Sequence, residues 1–368
     1  MKTTTLARIK KLVYPFTRLL SPKDVVLNYS RGRRYFLKKL EDESLPKINY
    51  EPPKLLGRTL WGLKFRSPIM NAAGMDKNFR LYFLFFTQGA GGYLGGTTTY
   101  NPRKGNEKEG LYLPFVAYRK SGAASNFLGL PNDGDEIISA RMRFAYKNEE
   151  FATGISVMGS PDIKDEDERL EKLIEGMKMY KDIGFIEMNE SCPNTSHKQD
   201  VGLESRLKFV KENFLDSRER KLPVIVKFSN DTEIDQVPFL LDLLFKFGFD
   251  GVNFGNTSTD YEGYKDSIDK SERPIYDYFT KTFKGGVSGR PLKDSSLMLA
   301  SIAVRYLKKG GPKQEFHVIR TGGIENAEDI KESEREGISL NQWFTGYWAG
   351  FDTYHHRVYE QIYQNLLK

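Results

Sequence analysis

One cysteine, Cys192, stands alone in 368 residues. That scarcity excludes an internal disulfide and suits a reducing compartment. Histidine is almost as rare. His197, His317, His355 and His356 show no metal-ligand spacing, and the adjacent pair cannot share a helix face, so no metal site is expected. Long apolar runs are missing too. Residues 81–101 carry no charge, yet Gln88 and the glycines and threonines of 89–99 make them a poor membrane span. They read instead as a helix followed by a buried strand. Arg8, Lys10 and Lys11 interrupt any apolar core near the start, so a secretory signal is not expected. There is no internal repeat and no low-complexity segment. What remains is a globular composition with chain enough for one large core.

Charge is unevenly distributed. Residues 1–50 hold twelve Lys/Arg and four Asp/Glu, against a net +7 for the whole chain, so residues 51–368 are close to neutral. A basic arm suits an anionic partner, and a membrane surface or a nucleic acid both have that chemistry. In the arm Leu6, Ile9, Leu12, Val13, Phe16, Leu19 and Leu20 recur at three- and four-residue steps, with Pro15 a point of kink or termination. Ser21-Pro22-Lys23-Asp24 reads as a helix start, and a second amphipathic piece runs through Val25, Val26, Tyr29, Phe36, Leu37 and Leu40. Two short basic amphipathic helices fit an interfacial anchor; they equally fit a helical hairpin packed on its own domain. Residues 1–45 are expected to form this extension and 46–368 the main domain, with 41–60 as the linker between them.

Eight apolar strand-like runs follow, at Pro68–Ala72, Gly92–Gly96, Gly154–Met158, Phe185–Asn189, Pro223–Phe228, Gly251–Phe254, Phe316–Arg320 and Leu340–Phe344. Helical patterns fill most gaps, near 165–182, 203–217, 233–248, 293–309, 326–336 and 353–367. Eight alternations predict an α/β fold of the (β/α)8 TIM-barrel type with an N-terminal helical extension. The long stretch 97–153, rich in Gly, Pro and Asn, reads as an active-site insertion.

The residues able to carry chemistry fall at or just after the ends of these runs. They include Asn71 to Asn78, Thr97 to Thr99, Asn189 with Cys192, Lys227, Asn256-Thr257, Thr321-Gly322-Gly323 and Thr345-Gly346. In a barrel such positions converge on one mouth. A lone cysteine is commonly a small buried hydrophobe. Here Asn189 and Asn194 bracket Cys192 and Pro193 stiffens the loop, which suits a planar polar ligand. The glycines after the last two runs suit the barrel phosphate site, where backbone N–H groups and a helix N-terminus receive a dianion.

These residues resemble the dihydroorotate dehydrogenases, flavin-mononucleotide barrel enzymes of pyrimidine synthesis, over residues 5–365. The most specific piece is Asn189-x-Ser191-Cys192-Pro193-Asn194-Thr195. It is supported by Ala72-Ala73-Gly74-x-Asp76-Lys77-Asn78, Asn126-x-Leu128-Gly129-Leu130, Gly285 to Leu292 and Thr321-Gly322-Gly323-Ile324. The resemblance implies that Asn126, Asn189, Asn194, Asn256 and Thr257 hold orotate, with Lys77 contributing a charge. It implies that Ala73, Gly74, Thr97, Asn189, Lys227 and Gly289 line FMN, that Gly323, Thr345 and Gly346 hold its phosphate, and that Cys192 is the general base.

The chain is a hybrid within that resemblance. The quinone-using class has an N-terminal extension and a serine base; the soluble class has a cysteine base and no extension. This chain carries the extension together with Cys192. Gly96 stands where the soluble class has a lysine, so Lys77 is expected to serve instead. Pro114, Leu27 and Phe344 align where the quinone class has arginine, histidine and tyrosine. Ser156 and Arg320 replace the usual asparagine and glycine, which implies a retuned flavin site with Arg320 in reach of the phosphate. The implied activity is oxidation of dihydroorotate with electrons passed to a membrane quinone. The implied state is a peripheral monomer on the cytoplasmic side of a membrane, touching lipid through residues 1–45 and binding no nucleic acid. The alternatives are a soluble acceptor such as fumarate, or a non-catalytic barrel with a basic binding arm.

Overall fold

The computed structural model describes residues 2–43, 48–145, 150–190, 202–218 and 221–368. Helix α1 (Thr3–Val13) ends as Pro15 enters, and the chain continues through 3-10 turns at Tyr14–Leu19. Helix α2 (Pro22–Asp42) starts at Ser21, whose hydroxyl accepts the Asp24 N–H at 3.2 Å. The expected linker contributes the start of an antiparallel hairpin, β1 (Arg58–Leu60) and β2 (Leu63–Phe65). Then come β3 (Ile69–Asn71), α3 (Tyr82–Gln88) and β4 (Tyr93–Thr98). The stretch after β4 folds as β5 (Glu107–Lys108), β6 (Leu111–Tyr112), β7 (Phe115–Tyr118), β8 (Ala123–Asn126) and α4 (Asp135–Ala145).

From there strands and helices alternate: β9 (Thr153–Val157), α5 (Glu166–Met179), β10 (Phe185–Asn189), α6 (Leu203–Val210), β11 (Val224–Phe228), α7 (Gln236–Phe247) and β12 (Gly251–Phe254). Two short helices, α8 (Tyr261–Lys265) and α9 (Arg273–Thr282), precede β13 (Gly286–Gly289). Then follow α10 (Lys293–Gly310), β14 (His317–Thr321), α11 (Ala327–Glu336), β15 (Leu340–Trp343), α12 (Thr345–Tyr354) and α13 (Val358–Leu366). The helix expected over 353–367 is α13, and α12 before it was not expected. Gly346 and Gly350 weaken the helical pattern of α12, and His355, at φ 53°, breaks the chain between the two.

Eight strands pair in parallel in the order β3-β15-β14-β12-β11-β10-β9-β4, giving a (β/α)8 barrel. Between β3 and β4 the Asn71 side chain stands in for a ladder: it donates to the Leu94 carbonyl at 2.6 Å and accepts the Leu94 N–H at 3.2 Å. Side chains alternate along each strand. Met70, Leu94, Phe185, Ile225, Ile319 and Leu340 fill the barrel floor, where Leu60, Trp61 and Phe65 of the hairpin pack against them. Two residues further on, the same faces present Ser156, Glu187, Lys227, Asn253 and Gln342, all buried polar groups. The interior thus changes from apolar to polar toward the C-terminal mouth. Over that mouth β13, β8 and β7 form a small antiparallel sheet. Helix α2 packs on this sheet and on α9 through a separate core that includes Val25, Val26, Val116, Tyr276 and Phe279.

Candidate active site at the barrel mouth

A cavity of about 940 Å³, open mouth included, lies where the strands end. Ala73, Gly74 and Lys77 reach it from the β3 loop, Thr97 from β4, and Asn126 from β8. Asn189 reaches it from β10, Lys227 from β11, Asn256 and Thr257 from the β12 loop, and Gly289 from β13. Gly323 follows β14, and Thr345 with Gly346 begins α12. Thirteen of the expected site residues therefore share one cavity. Cys192 and Asn194 lie outside the described residues.

A line of polar groups crosses the wall. Asn256 Nδ2 donates to Asn189 Oδ1 at 3.1 Å, Asn189 Nδ2 donates to Thr97 Oγ1 at 3.1 Å, and Thr97 Oγ1 meets Ser156 Oγ at 2.9 Å. Below it Lys227 Nζ lies 3.5 Å from Glu187 Oε1, with both side chains almost fully buried. Glu187 Oε2 accepts from Asn253 Nδ2 and Gln342 Nε2, each at 2.8 Å. Thr321 Oγ1 donates to Asn253 Oδ1 and Gln342 Oε1, each at 3.0 Å. Partners of this kind lower the cost of burying polar groups, and the Lys227 charge stands beside Glu187 Oε1, which accepts no hydrogen bond among the described residues. Glu187, Asn253 and Gln342 were not expected here. The signal available was a polar residue breaking an apolar strand in the inward phase.

At the other end backbone replaces side chains. A Cβ on Gly323 would meet Lys293 Cα at 2.3 Å, and one on Gly346 would meet the Ile324 carbonyl at 2.0 Å. Only glycine fits this packing, and Gly323 also sits at φ 68°. Helix α12 opens here, and free N–H groups at a helix start favour an anion. Arg320 does not reach this cavity, contrary to the expectation. Strand alternation turns it outward, where its guanidinium binds Ser296, Ser333 and two carbonyl oxygens.

Residues 55–366 match the sequence family described as dihydroorotate dehydrogenase. The chain belongs to the dihydroorotate dehydrogenase family. Among curated relatives, the dihydroorotate dehydrogenase (quinone) of Nitratiruptor is 29% identical over 318 residues, covering 86% of this chain and 81% of the relative. That of Christiangramia forsetii, also named a quinone enzyme, is 28% identical over 295 residues, covering 79% and 80%. The fold resembles that of the Eimeria tenella enzyme solved with ferulenol: TM-score 0.72, 21% identity, 94% of this chain and 89% of the other covered.

The protein has a second, larger cavity, about 1920 Å³ with its open mouth included and mostly apolar, between α1, α2, β7 and α12. Leu6, Val13, Tyr29, Phe36, Ala117 and Trp348 line it, and Phe344 and Thr345 line both cavities. Two of its three cations meet one carboxylate: Lys10 Nζ and Arg119 Nη2 lie 3.2 and 3.3 Å from the same Asp352 oxygen, while Arg33 lies over the Phe115 ring. Burial pushes the Lys10 pKa down while Asp352 pulls it up. Of the positions aligned with the quinone class, Phe344 lines this cavity; Pro114 and Leu27 do not, and Leu27 packs on the core beneath α2. Arg119 supplies a guanidinium that alignment at Pro114 had missed. Among the described residues no helix is long and apolar enough to cross a membrane.

Proposed function

We propose that this protein binds flavin mononucleotide at the barrel mouth, oxidises dihydroorotate to orotate there, and delivers the electrons to a membrane quinone. The observation that carries this reading is the meeting of two unlike cavities at Phe344 and Thr345. The mouth cavity has a mixed wall that carries lysine, amide and hydroxyl groups and suits a charged pyrimidine; the other is mostly apolar and suits a lipid-soluble acceptor. The quinone names of the relatives favour that acceptor over fumarate. The shared mouth cavity and family membership weigh against a non-catalytic barrel.

The residues present fit the cofactor. Gly323, Thr345 and Gly346 form a backbone cradle suited to a phosphate ester, and Thr97, Asn189 and Lys227, with Ala73, Gly74 and Gly289, suit a planar ring. When bound, flavin mononucleotide supplies the two-electron sink for the hydride leaving C6 of the substrate. Asn126, Asn189, Asn194, Asn256 and Thr257 hold the pyrimidine by amide and hydroxyl groups that match its alternating donors and acceptors. Lys77 adds a charge for the substrate carboxylate. Cys192 removes the C5 proton; a thiol with an ordinary pKa of about 8.5 needs a lowered pKa or tight coupling to hydride loss to do so at neutral pH. Lys227 would supply a positive charge beside the ring.

Residues 1–45 are in this reading an amphipathic helical extension of the barrel of 46–368, against which α1 and α2 pack. They rest on the cytoplasmic face of a membrane, and the chain works as a monomer. Exposed Leu12, Phe16 and Leu19 on a basic arm support that placement. The test is anaerobic mixing with dihydroorotate, then with a short-chain quinone or fumarate. Flavin bleaching followed by fast reoxidation with quinone alone is expected. Reoxidation by fumarate instead would replace the acceptor, and failure to bleach would remove the activity.

A further inference from the structure

Strand β14 ends in Ile319-Arg320-Thr321 and runs directly into the Gly322–Gly323 turn. Arg320 is fully buried, at 0% exposure. Its Nε donates to Ser296 Oγ at 3.0 Å, Nη1 to Ser333 Oγ at 2.9 Å and the Asp329 carbonyl at 3.2 Å, and Nη2 to the Lys293 carbonyl at 2.9 Å. All four acceptors are neutral. A buried guanidinium is costly to desolvate, and burial brings its pKa down to about 10, which leaves it charged at neutral pH. So expensive a group just behind the glycine turn calls for a role.

Two features of the surroundings supply one. The first is geometric. Ser296, gripped by Arg320, passes its own hydroxyl hydrogen to the Gly322 carbonyl at 2.8 Å. Lys293, whose carbonyl Arg320 also holds, is the residue against which Gly323 packs most closely. Arg320 therefore fixes both α10 residues that shape the turn. The second is electrostatic. Lys293 Nζ lies 2.8 Å from Asp329 and 3.1 Å from Glu332, one lysine against two carboxylates. Asp329 Oδ2 also accepts the N–H groups of Glu325 and Asn326 just past the turn, at 2.8 and 3.0 Å. Without Arg320 this cluster carries a net negative charge directly behind a cradle for a dianion. Arg320 offsets part of that charge, to which Asp294 of α10 also adds.

We propose that Arg320 is a positioning residue of the phosphate-ester site: it locks the Gly322–Gly323 turn onto α10 and offsets part of the carboxylate charge behind it, so the pocket selects flavin bearing a terminal phosphate. This rests on reading the mouth cavity as a flavin mononucleotide site. The full-length protein, as wild type, Arg320→Gln and Arg320→Lys, is freed of flavin and titrated with flavin mononucleotide and with riboflavin by flavin fluorescence. Thermal unfolding is followed in parallel. Wild type should bind flavin mononucleotide at least about tenfold more tightly than riboflavin. Arg320→Gln should weaken flavin mononucleotide by about tenfold or more and riboflavin by less than about twofold. Arg320→Lys, which restores the charge without the fork, should fall between. Equal weakening of both flavins, or no weakening of either, overturns the role of Arg320. If Arg320→Gln does not fold, Arg320→Lys decides on the same criterion, with a selective loss of about threefold expected. A wild type that binds both flavins alike overturns the phosphate reading of the turn itself, and this proposal with it.

Discussion

Asn256 Nδ2 donates to Asn189 Oδ1 at 3.1 Å, which ties the loop after β12 to the end of β10 across the cavity wall. Asn189 in turn donates to Thr97, so it links three strands through one side chain. Asn189→Leu keeps the volume but leaves Asn256 and Thr97 facing an apolar group. Each unsatisfied polar group costs about 1–3 kcal/mol. Orotate affinity, read from the flavin absorbance shift, should fall by about ten- to a hundredfold or more. Unchanged affinity would remove Asn189 from the substrate site.

Cys192 is the residue on which the proton chemistry depends. Cys192→Ala should keep flavin and orotate binding while turnover at neutral pH falls by about 10²–10⁴-fold, the usual worth of a general base. Cys192→Ser should keep some activity with its pH optimum moved upward, because a hydroxyl is harder to deprotonate. A variant that turns over like the parent, or an unshifted profile in the serine form, would reassign the base.

Glu187 joins Lys227, Asn253 and Gln342 beneath the cavity. Removing one member of a fully buried ion pair costs about 3–5 kcal/mol. Glu187→Ala should therefore lower the unfolding midpoint by roughly 5 °C or more, measured by thermal scans of flavin-loaded protein. A midpoint within about a degree of wild type would mean the pair contributes little to the fold.

The packing at the end of the chain predicts acid sensitivity. Tyr347 Oη donates to Gln88 Oε1 at 2.8 Å, which orients the Gln88 amide so that Nε2 faces His356 Nδ1 at 3.0 Å. A protonated His356 would set two donors against each other. Burial also pushes its pKa below the ordinary 6.5. The unfolded chain therefore takes up the proton first, and stability contributed by neutral His356 is present above about pH 6.5 and lost as pH falls toward the folded pKa. His356→Gln should flatten the unfolding midpoint between about pH 7 and 5 relative to wild type. A wild-type midpoint that does not fall on acidification would discard this switch.

Most of the barrel strands were legible because they are short, largely apolar runs set between amphipathic helices. The site was legible because Asn189, Lys227, Thr345 and their neighbours share one phase at the strand ends. What escaped detection depends on partners distant in the chain. Glu187 and Asn253 gain meaning only when β10 and β12 close round a common interior. Arg119 matters only because α1 and α12 bring Lys10 and Asp352 beside it. The hairpin at 58–65, whose first strand falls inside the expected 41–60 linker, was missed because its apolar residues, Leu60, Trp61 and Phe65, plug the barrel floor rather than forming an independent sheet.

The apolar rim of the N-terminal arm gives the last prediction. Leu12, Phe16 and Leu19 are 73%, 64% and 82% exposed, so they contribute almost nothing to the internal core. They sit on the arm that also carries most of the excess positive charge. Apolar area and basic charge together bind anionic lipid, whereas apolar area on a free aqueous surface only costs hydration. Replacing all three with Glu removes the first and opposes the second, and leaves Val25 and Val26 of α2 packed as before. Sedimentation with vesicles of anionic phospholipid should drop by about tenfold or more. Flavin bleaching by dihydroorotate and the unfolding midpoint should stay at wild-type levels, since neither involves the rim. Turnover with a long-chain quinone embedded in the vesicles should fall with binding, while turnover with a short water-soluble quinone should persist. Vesicle binding that survives the triple substitution would detach the arm from the membrane and leave α1 and α2 as a cover for the apolar cavity alone.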